Sequence, residues 1–251
     1  MASGVAYRLY QCGFRIVITE IEQPLAVRRP VSFCEAVYNG RATVEGIEAI
    51  LIKKSDDLSR VWNDRRIPLI VDPHCRSRDL IKPDVIVDAV MAKKNPGTST
   101  EDAPLVIALG PGFQAGKDAH FVVETNRGHN LGRLLTYGSA ETDTGVPGAI
   151  QGTTDRVLRA PADGRWKNNM DIGDRATRGD LIGTVSDIPV TVQISGILRG
   201  MIRPGITVTK NLKIGDIDPR GRKEYCHTIS DKARSIGGAV LEGIVRFLGS
   251  R

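Results

Sequence analysis

The sequence of 251 residues has few of the features that mark secreted or membrane-spanning proteins. Its four cysteines are scattered and form no C-x-x-C pair, so we expect neither a disulfide framework nor a metal site built with the four histidines. No window approaches the ~18 uninterrupted apolar residues that a membrane span needs, and the first residues lack the pattern of a secretory signal. These absences predict a cytoplasmic protein without a membrane partner.

Aromatic residues are also scarce, at 5% of the chain. The formal net charge is +6, and residues 197–251 account for the whole excess, with eleven Lys and Arg against five Asp and Glu. A basic C-terminal part is suited to an anionic partner or cofactor. No basic stripe is interleaved with aromatics, however, so nucleic acid is not an expected partner.

Alternating apolar patterns predict an α/β layer in the first part of the chain. The predicted helices are Ala2–Cys12, Val31–Tyr38 and a helix opened by Ser55; the predicted strands are Arg15–Ile21, Ile47–Ile52, Ile67–Asp72 and Val85–Met91. Strands separated by helices imply a mostly parallel sheet covered on both faces. The predicted fold class is therefore α/β, with a Rossmann-like domain over residues 1–150.

A glycine-rich turn after a buried strand is the strongest candidate for a site. Gly110 and Gly112 follow the apolar run that begins at Leu105, and with Ala115 they satisfy the dinucleotide fingerprint G-x-G-x-x-A. The fingerprint requires a helix to open at the turn, so that the helix N-terminus faces the pyrophosphate. The following AHFVVET is rich in β-formers and predicts a strand instead, which leaves the match weak.

The polar residues after this turn are the candidate catalytic groups: Asp118, Glu124, Arg127 and His129. The segment ETNRGH places a carboxylate, a guanidinium and an imidazole within six residues, which suits anion binding and proton transfer near neutral pH. The alternative is structural, with Arg127 paired to Glu124 and His129 a solvated loop residue. Cys75, after an apolar strand, is a weaker candidate for a reactive thiol, because lone intracellular cysteines are mostly buried small hydrophobes.

Residues 151–221 contain an internal repeat. With a shift of 32 residues, Gly164 falls on Gly196, Gly173 on Gly205 and Gly183 on Gly215. Two such copies of short, glycine-turned strands predict an all-β module that resembles the barrel-sandwich hybrid of biotinyl and lipoyl carrier domains. The hairpin at residues 186–190 has no Lys, so a covalent carrier is not expected. Residues 222–251 add an amphipathic helix, Ser230–Phe247, which we expect to pack on the α/β layer.

Three stretches carry a resemblance to a known family: ITEIEQPLAVRRPVSFCEAVY at residues 18–38, the 105–148 stretch, and ISGILRGMIRPG followed by KIGDIDPRG near the C-terminus. In this order they resemble the accessory proteins of the selenium-dependent molybdenum hydroxylase system. The resemblance implies a maturation factor that inserts selenium or processes the molybdenum cofactor. Its implied partners are a molybdenum hydroxylase or other maturation proteins, and its implied cofactor is a nucleotide or a pterin-type molecule.

The same resemblance guides the cofactor-binding prediction. The family begins with one more strand and a glycine-rich turn before the first helix, so we expect this chain to lack both, with Gly4 as a remnant of the turn. Glu20 or Glu22 then stands at the end of the strand whose acidic residue contacts a ribose in dinucleotide-binding folds. The predicted cofactor-binding residues are Gly4, Glu20, Gly110, Gly112 and Gly116.

Two other functions remain open. An NAD(P)-dependent oxidoreductase is supported by the α/β pattern and Glu20; a helix directly after Gly112 would favour it and a strand would oppose it. A non-catalytic scaffold is favoured if the polar residues do not meet in one cleft.

Overall fold

The computed structural model describes residues 1–53 and 57–249, which form mixed α/β layers followed by antiparallel sheets and a long C-terminal helix. Within these residues the helices are α1 (Ala2–Gln11), α2 (Ala36–Asn39), α3 (Leu58–Asn63), α4 (Arg78–Ile81) and α5 (Asp231–Gly249), with short 3-10 turns at Arg29–Val31, Phe33–Glu35, Thr100–Asp102 and Lys223–Cys226. The predicted helix start at Ser55 lies outside the described residues.

The first sheet contains β1 (Ile18–Glu20), β2 (Arg41–Val44), β3 (Ile47–Ile52) and β4 (Ile67–Val71), in the order β1-β4-β3-β2. β1 and β3 both run parallel to β4, as the predicted parallel sheet requires, whereas β2 and β3 form an antiparallel hairpin that the sequence analysis missed. Glu45 and Gly46 both have positive φ, which matches the turn to the twist of the two strands.

The second sheet contains β5 (Val85–Asp88), β6 (Leu105–Leu109), β8 (Phe121–Val123) and β9 (Leu134–Leu135) in that order; β7 (Gln114–Ala115) pairs separately with β10 (Gly138–Ser139). β5, β6 and β8 are parallel to one another and β9 is antiparallel. Every residue of β6 is buried, as expected of a strand covered on both faces.

Helices α1 and α5 pack together over one face of β6. Val5 and Leu9 of α1 and Ile236, Val240 and Ile244 of α5 share a core with the apolar side chains of β6. Gly237 permits this close approach, because a Cβ there would lie 3.0 Å from the carbonyl oxygen of Gly4. The C-terminal helix is thus held by the α/β part of the molecule.

Two antiparallel sheets follow. One contains β11 (Val157–Arg159), β18 (Lys213–Asp218), β16 (Gly196–Met201) and β13 (Arg175–Ala176); the other contains β15 (Ile188–Thr191), β14 (Leu181–Val185), β12 (Gly164–Asn168) and β17 (Thr207–Val208), each in the order given. The shift of 32 residues carries β12, β13 and β14 onto β16, β17 and β18. Because β13 pairs with β16 and β17 pairs with β12, each copy contributes strands to both sheets around one core.

The predicted strand Ile47–Ile52 is confirmed at both ends, and Ile67–Asp72 ends one residue early. Arg15–Ile21 and Val85–Met91 shrink to the short strands β1 and β5. Val31–Tyr38 is broken into two 3-10 turns and α2, since Pro30 at the start and Gly40 at the end leave little room for a regular helix.

Candidate functional site

A cleft of about 520 Å³ opens at the carboxyl ends of the parallel strands β5 and β6. Ligands of open α/β sheets commonly bind at this edge, where the loops that follow neighbouring strands meet. The lining residues come from the loop after β5, the turn after β6 and the segment around β10: Lys93, Pro111, Gly112, Phe113, Gln114, Asp118, Ser139, Ala140, Thr142 and Asp143.

Two loops cross closely to form this cleft. Gly112 has φ +103°, and a Cβ on it would lie 2.5 Å from the Cα of Lys94, so only glycine allows the loop after β5 to pass over the turn. Met91 and Lys93 both adopt left-handed backbone conformations. Asp88, at the end of β5, anchors the same loop by accepting hydrogen bonds from the Val90 amide and the Thr98 hydroxyl.

The cleft contains charges of both signs. Lys93 Nζ lies 2.6 Å from Asp143 Oδ2, and this contact lowers the pKa of Asp143. Asp118 Oδ2 accepts the backbone N–H of Gln114 at 2.8 Å, which closes the tight turn between β7 and β8. Of the candidate site residues, Gly112 and Asp118 therefore meet in this cleft.

The carboxylate of Glu124 is used in hydrogen bonds that hold two loops together. Its side chain is buried, with Oε1 accepting the Asn126 amide at 2.6 Å and Oε2 accepting the Glu141 amide at 2.7 Å. The carboxylate thus fastens the loop after β8 to the segment after β10. Glu141 strengthens the same junction, because its own carboxylate accepts hydrogen bonds from Asn126 and Asn130.

Arg127 binds the start of the C-terminal helix rather than Glu124. Its Nη1 and Nη2 donate to the two carboxylate oxygens of Asp231 at 2.6 and 2.9 Å. The hydrogen bond from Arg127 holds the pKa of Asp231 well below its usual range. His129 is exposed on the same loop. The carboxylate, guanidinium and imidazole of ETNRGH therefore do not act on one shared partner: Glu124 and Arg127 have separate contacts, and His129 is exposed.

The remaining predicted cofactor residues are spread over the α/β part. Gly4 lies inside α1, where a Cβ would be 2.8 Å from the Cβ of Ala233, and Glu20 ends β1 in the first sheet. Burial raises the pKa of Glu20, whose Oε2 accepts the Ile21 amide. Gly110 lies against Thr125, and Gly116 takes a positive φ in the β7–β8 turn.

The sequence analysis missed Lys93 and Asp143. Lys93 follows a segment assigned to a strand through Met91, whereas β5 ends at Asp88 and leaves a long loop. Pro96 and Gly97 after the two lysines were the available signal for that loop.

The KIGDIDPRG motif forms a buried ion network in the β module. Asp216 pairs with Arg156 and Arg199, and Asp218 Oδ2 lies 2.9 Å from Arg199 Nη1 and 2.6 Å from Arg220 Nη2. Burial acts to raise the pKa of Asp218, but hydrogen bonds from Arg220 and the charges of Arg199 and Arg220 together outweigh it, and the pKa is lowered. Each of the two carboxylates is paired with two guanidinium groups, which indicates that this ion network has a structural role.

The described residues contain neither a metal-ligating cluster nor a membrane-spanning helix. No three His, Cys, Asp or Glu side chains there lie close enough together to hold a metal ion. No helix among them has the length and apolar composition to cross a membrane.

Comparison with known proteins gives one extensive sequence match. No family model matches the chain. The uncharacterized protein YqeB of Escherichia coli K12 is 46% identical over 249 residues, which is 99% of this chain and 46% of YqeB. The chain thus spans about half the length of this curated relative.

Solved structures show only distant likeness. An aspartoacylase family protein of Mesorhizobium loti is 18% identical, with a TM-score of 0.24 over 26% of this chain and 23% of that one. The product-bound ectoine utilization protein EutE of Ruegeria pomeroyi is 11% identical, with a TM-score of 0.30 over 80% of this chain and 84% of that one. Scores this low transfer neither fold nor activity.

Proposed function

We propose that this chain is an accessory or maturation factor for selenium-dependent molybdenum hydroxylases, which holds a nucleotide or pterin-type cofactor in the cleft during selenium insertion or cofactor processing. The position of the cleft carries the proposal. It opens at the carboxyl ends of β5 and β6, and Gly112 and Asp118 in its wall belong to the stretch that resembles the accessory family. A partner hydroxylase would then receive the processed cofactor.

The proposal also includes a specific fold for each of the two main parts of the chain. The parallel pairs β1–β4 and β5–β6–β8 support a Rossmann-like domain over residues 1–150, and the crossed repeat supports a barrel-sandwich hybrid over residues 151–221. The β14–β15 hairpin carries Ser186 and Asp187 at its tip rather than a Lys, so the module is proposed to serve docking, not covalent transfer.

A non-catalytic scaffold is the second candidate, because Glu124 and Arg127 are used in contacts that hold loops and α5 together. An NAD(P)-dependent oxidoreductase has less support. Strand β7 begins at Gln114, two residues after Gly112, where a dinucleotide site would need the N-terminus of a helix.

The proposal is tested in the host organism by deleting the gene and measuring selenium-dependent hydroxylase activity and the selenium content of the purified hydroxylase. We expect both to fall while the amount of hydroxylase polypeptide stays unchanged.

Complementation with Lys93→Ala should restore less activity than complementation with Lys53→Ala, which removes an exposed Lys outside the cleft lining. Full hydroxylase activity in the deletion strain would refute the proposed function, and equal rescue by the two variants would favour the scaffold.

A further inference from the structure

The cleft presents a carboxylate oxygen that the fold leaves unused. Asp118 Oδ2 accepts the Gln114 amide, whereas Oδ1 has no hydrogen-bond partner among the described residues. A carboxylate offers about four lone-pair sites, so most of the acceptor capacity of Asp118, which lines the cleft, is not used by the described residues. A ligand that fills it must present N–H or O–H donors.

Among the described residues, Lys93 is the one Lys or Arg that lines the cleft. Its partner Asp143 lies on a partly exposed segment, and the side chains of the two residues retain 59% and 36% of their accessible surface. Ion pairs this exposed contribute little stability, so a ligand anion competes with Asp143 for the ammonium group on similar terms. The cleft therefore offers an acceptor at one residue and an exchangeable cation at another.

The rest of the lining suits a planar ring. Pro111 supplies partly exposed apolar surface above the buried Phe113 and Ala140, and the volume of about 520 Å³ lies within the range of small-molecule sites. At Gly112 a Cβ would meet the Lys94 backbone, so glycine at this position lets the loop after β5 close in beside the turn.

We propose that the cleft binds a 2-amino-4-oxopyrimidine ring, the unit shared by guanine and the pterins. Its ring N–H and exocyclic amino group donate to the Asp118 carboxylate, and an anionic substituent takes Lys93 from Asp143. This inference rests on the proposed function, since it names the ligand class of the same cleft. The two parallel N–H groups match a carboxylate as an arginine fork does. Adenine instead places a ring nitrogen acceptor beside its amino group, so it would set a lone pair against Asp118.

Binding of GMP, IMP, AMP and XMP to the purified full chain, measured by isothermal titration calorimetry, tests the ring. We expect GMP to bind at least about tenfold more tightly than IMP, which lacks the amino group, and than AMP. Asp118→Asn keeps an oxygen to accept the Gln114 amide and presents an NH₂ donor to the ring. That variant should bind XMP, which has a carbonyl at C2, more tightly than GMP. Such an inversion cannot result from misfolding.

The anion and the source of the ring are tested separately. GMP should bind about tenfold more tightly than guanosine, and Lys93→Met should abolish that difference, whereas Lys117→Met, outside the lining, should retain it. Titration with neopterin phosphate distinguishes a pterin from a guanine nucleotide as the tighter ligand. Equal affinity for GMP and AMP, unchanged preference in Asp118→Asn, or no binding of any probe at millimolar concentration overturns the inference. A deletion strain that still loses hydroxylase activity would then leave the proposed function standing.

Discussion

At the scale of single residues, the polar groups of the 118–129 segment have divided roles. Asp118 lines the cleft, Glu124 is buried between two loops, Arg127 reaches α5 and His129 is exposed. Sequence spacing placed these groups near one another along the chain but gave no direction for each side chain. The fold separates them, because the buried carboxylate must satisfy nearby amides while the guanidinium finds a distant Asp.

Glu124→Gln should lower the free energy of unfolding by about 1–3 kcal/mol, because one of the two backbone amides would then face an NH₂ donor in a buried site. Urea denaturation measures this. Glu22→Gln, at an exposed position, is the matched control and should be neutral within about 0.5 kcal/mol. A midpoint for Glu124→Gln equal to that of the control would contradict the assigned role.

The Arg127–Asp231 pair predicts a dependence of stability on pH. Asp231 has a lowered pKa in the folded chain, so the pair is fully stabilising above the unfolded pKa of about 3.9 and loses its contribution as pH falls towards the folded value. The Tm difference between the wild type and Asp231→Asn should therefore be constant from pH 7 to pH 5 and shrink below about pH 4. Thermal denaturation of both proteins across this pH interval measures the Tm difference. A Tm difference that persists into strong acid would show that the charge of Asp231 is not its cause.

At the scale of elements, the short-range pattern predicted β3, β4 and α1 well, since each has its own apolar periodicity and end signals. The cleft could be predicted only in part. Lys93 and Asp143 are distant in sequence, and Arg127 is 104 residues from Asp231, so these pairs depend on how the sheets and α5 pack. The crossed pairing of the repeat likewise follows from two copies closing around one core, which a shift of 32 residues shows only as similarity.

The repeat gives a test at this scale, because Gly183 of β14 and Gly215 of β18 are equivalent positions. A Cβ on Gly183 would lie 2.1 Å from the Lys167 carbonyl oxygen, whereas on Gly215 the nearest atom, at 2.9 Å, is the end of the Leu158 side chain. Gly183→Ala should therefore cost about 1–3 kcal/mol and Gly215→Ala less, since Leu158 can change rotamer. Gly238→Ala, in open space on α5, should stabilise by about 0.5–1 kcal/mol. Chemical denaturation that ranks Gly215→Ala as the more damaging would contradict this account.

At the scale of the whole molecule, arginines join the parts. Arg29 Nε donates to the Met201 carbonyl at 2.8 Å, and Arg203 Nη2 lies 2.7 Å from Glu35 Oε2. Arg156, which pairs with Asp216, also donates to the carbonyl of Gly148, the end of the segment that lines the cleft at Asp143. The segment that lines the cleft at Asp143 is therefore held to the β module a few residues further along the chain, at Gly148.

Asp216→Asn tests how far this network holds the molecule together. The side chain of Asp216 retains 1% of its accessible surface and neutralises two guanidinium groups, so its loss should lower stability by about 3–5 kcal/mol. Asp187→Asn, with 90% of the side-chain surface exposed, should change it by no more than about 0.5 kcal/mol. Hydrogen exchange should show reduced protection of β16 and β18 in Asp216→Asn. Unchanged exchange would assign the network to local charge balance alone.

The left-handed backbone at Lys93 also bears on how this chain can change over time. A residue with a Cβ in that conformation costs of order 1 kcal/mol relative to glycine, so Lys93→Gly would relieve strain at the rim of the cleft. Selection for stability alone would favour that replacement. A lineage that keeps a cation there accepts a less stable loop in exchange for a charge at a fixed place. Under the proposed role of Lys93 in binding an anion, stability of the loop after β5 and ligand binding oppose each other, and engineering for one is expected to diminish the other.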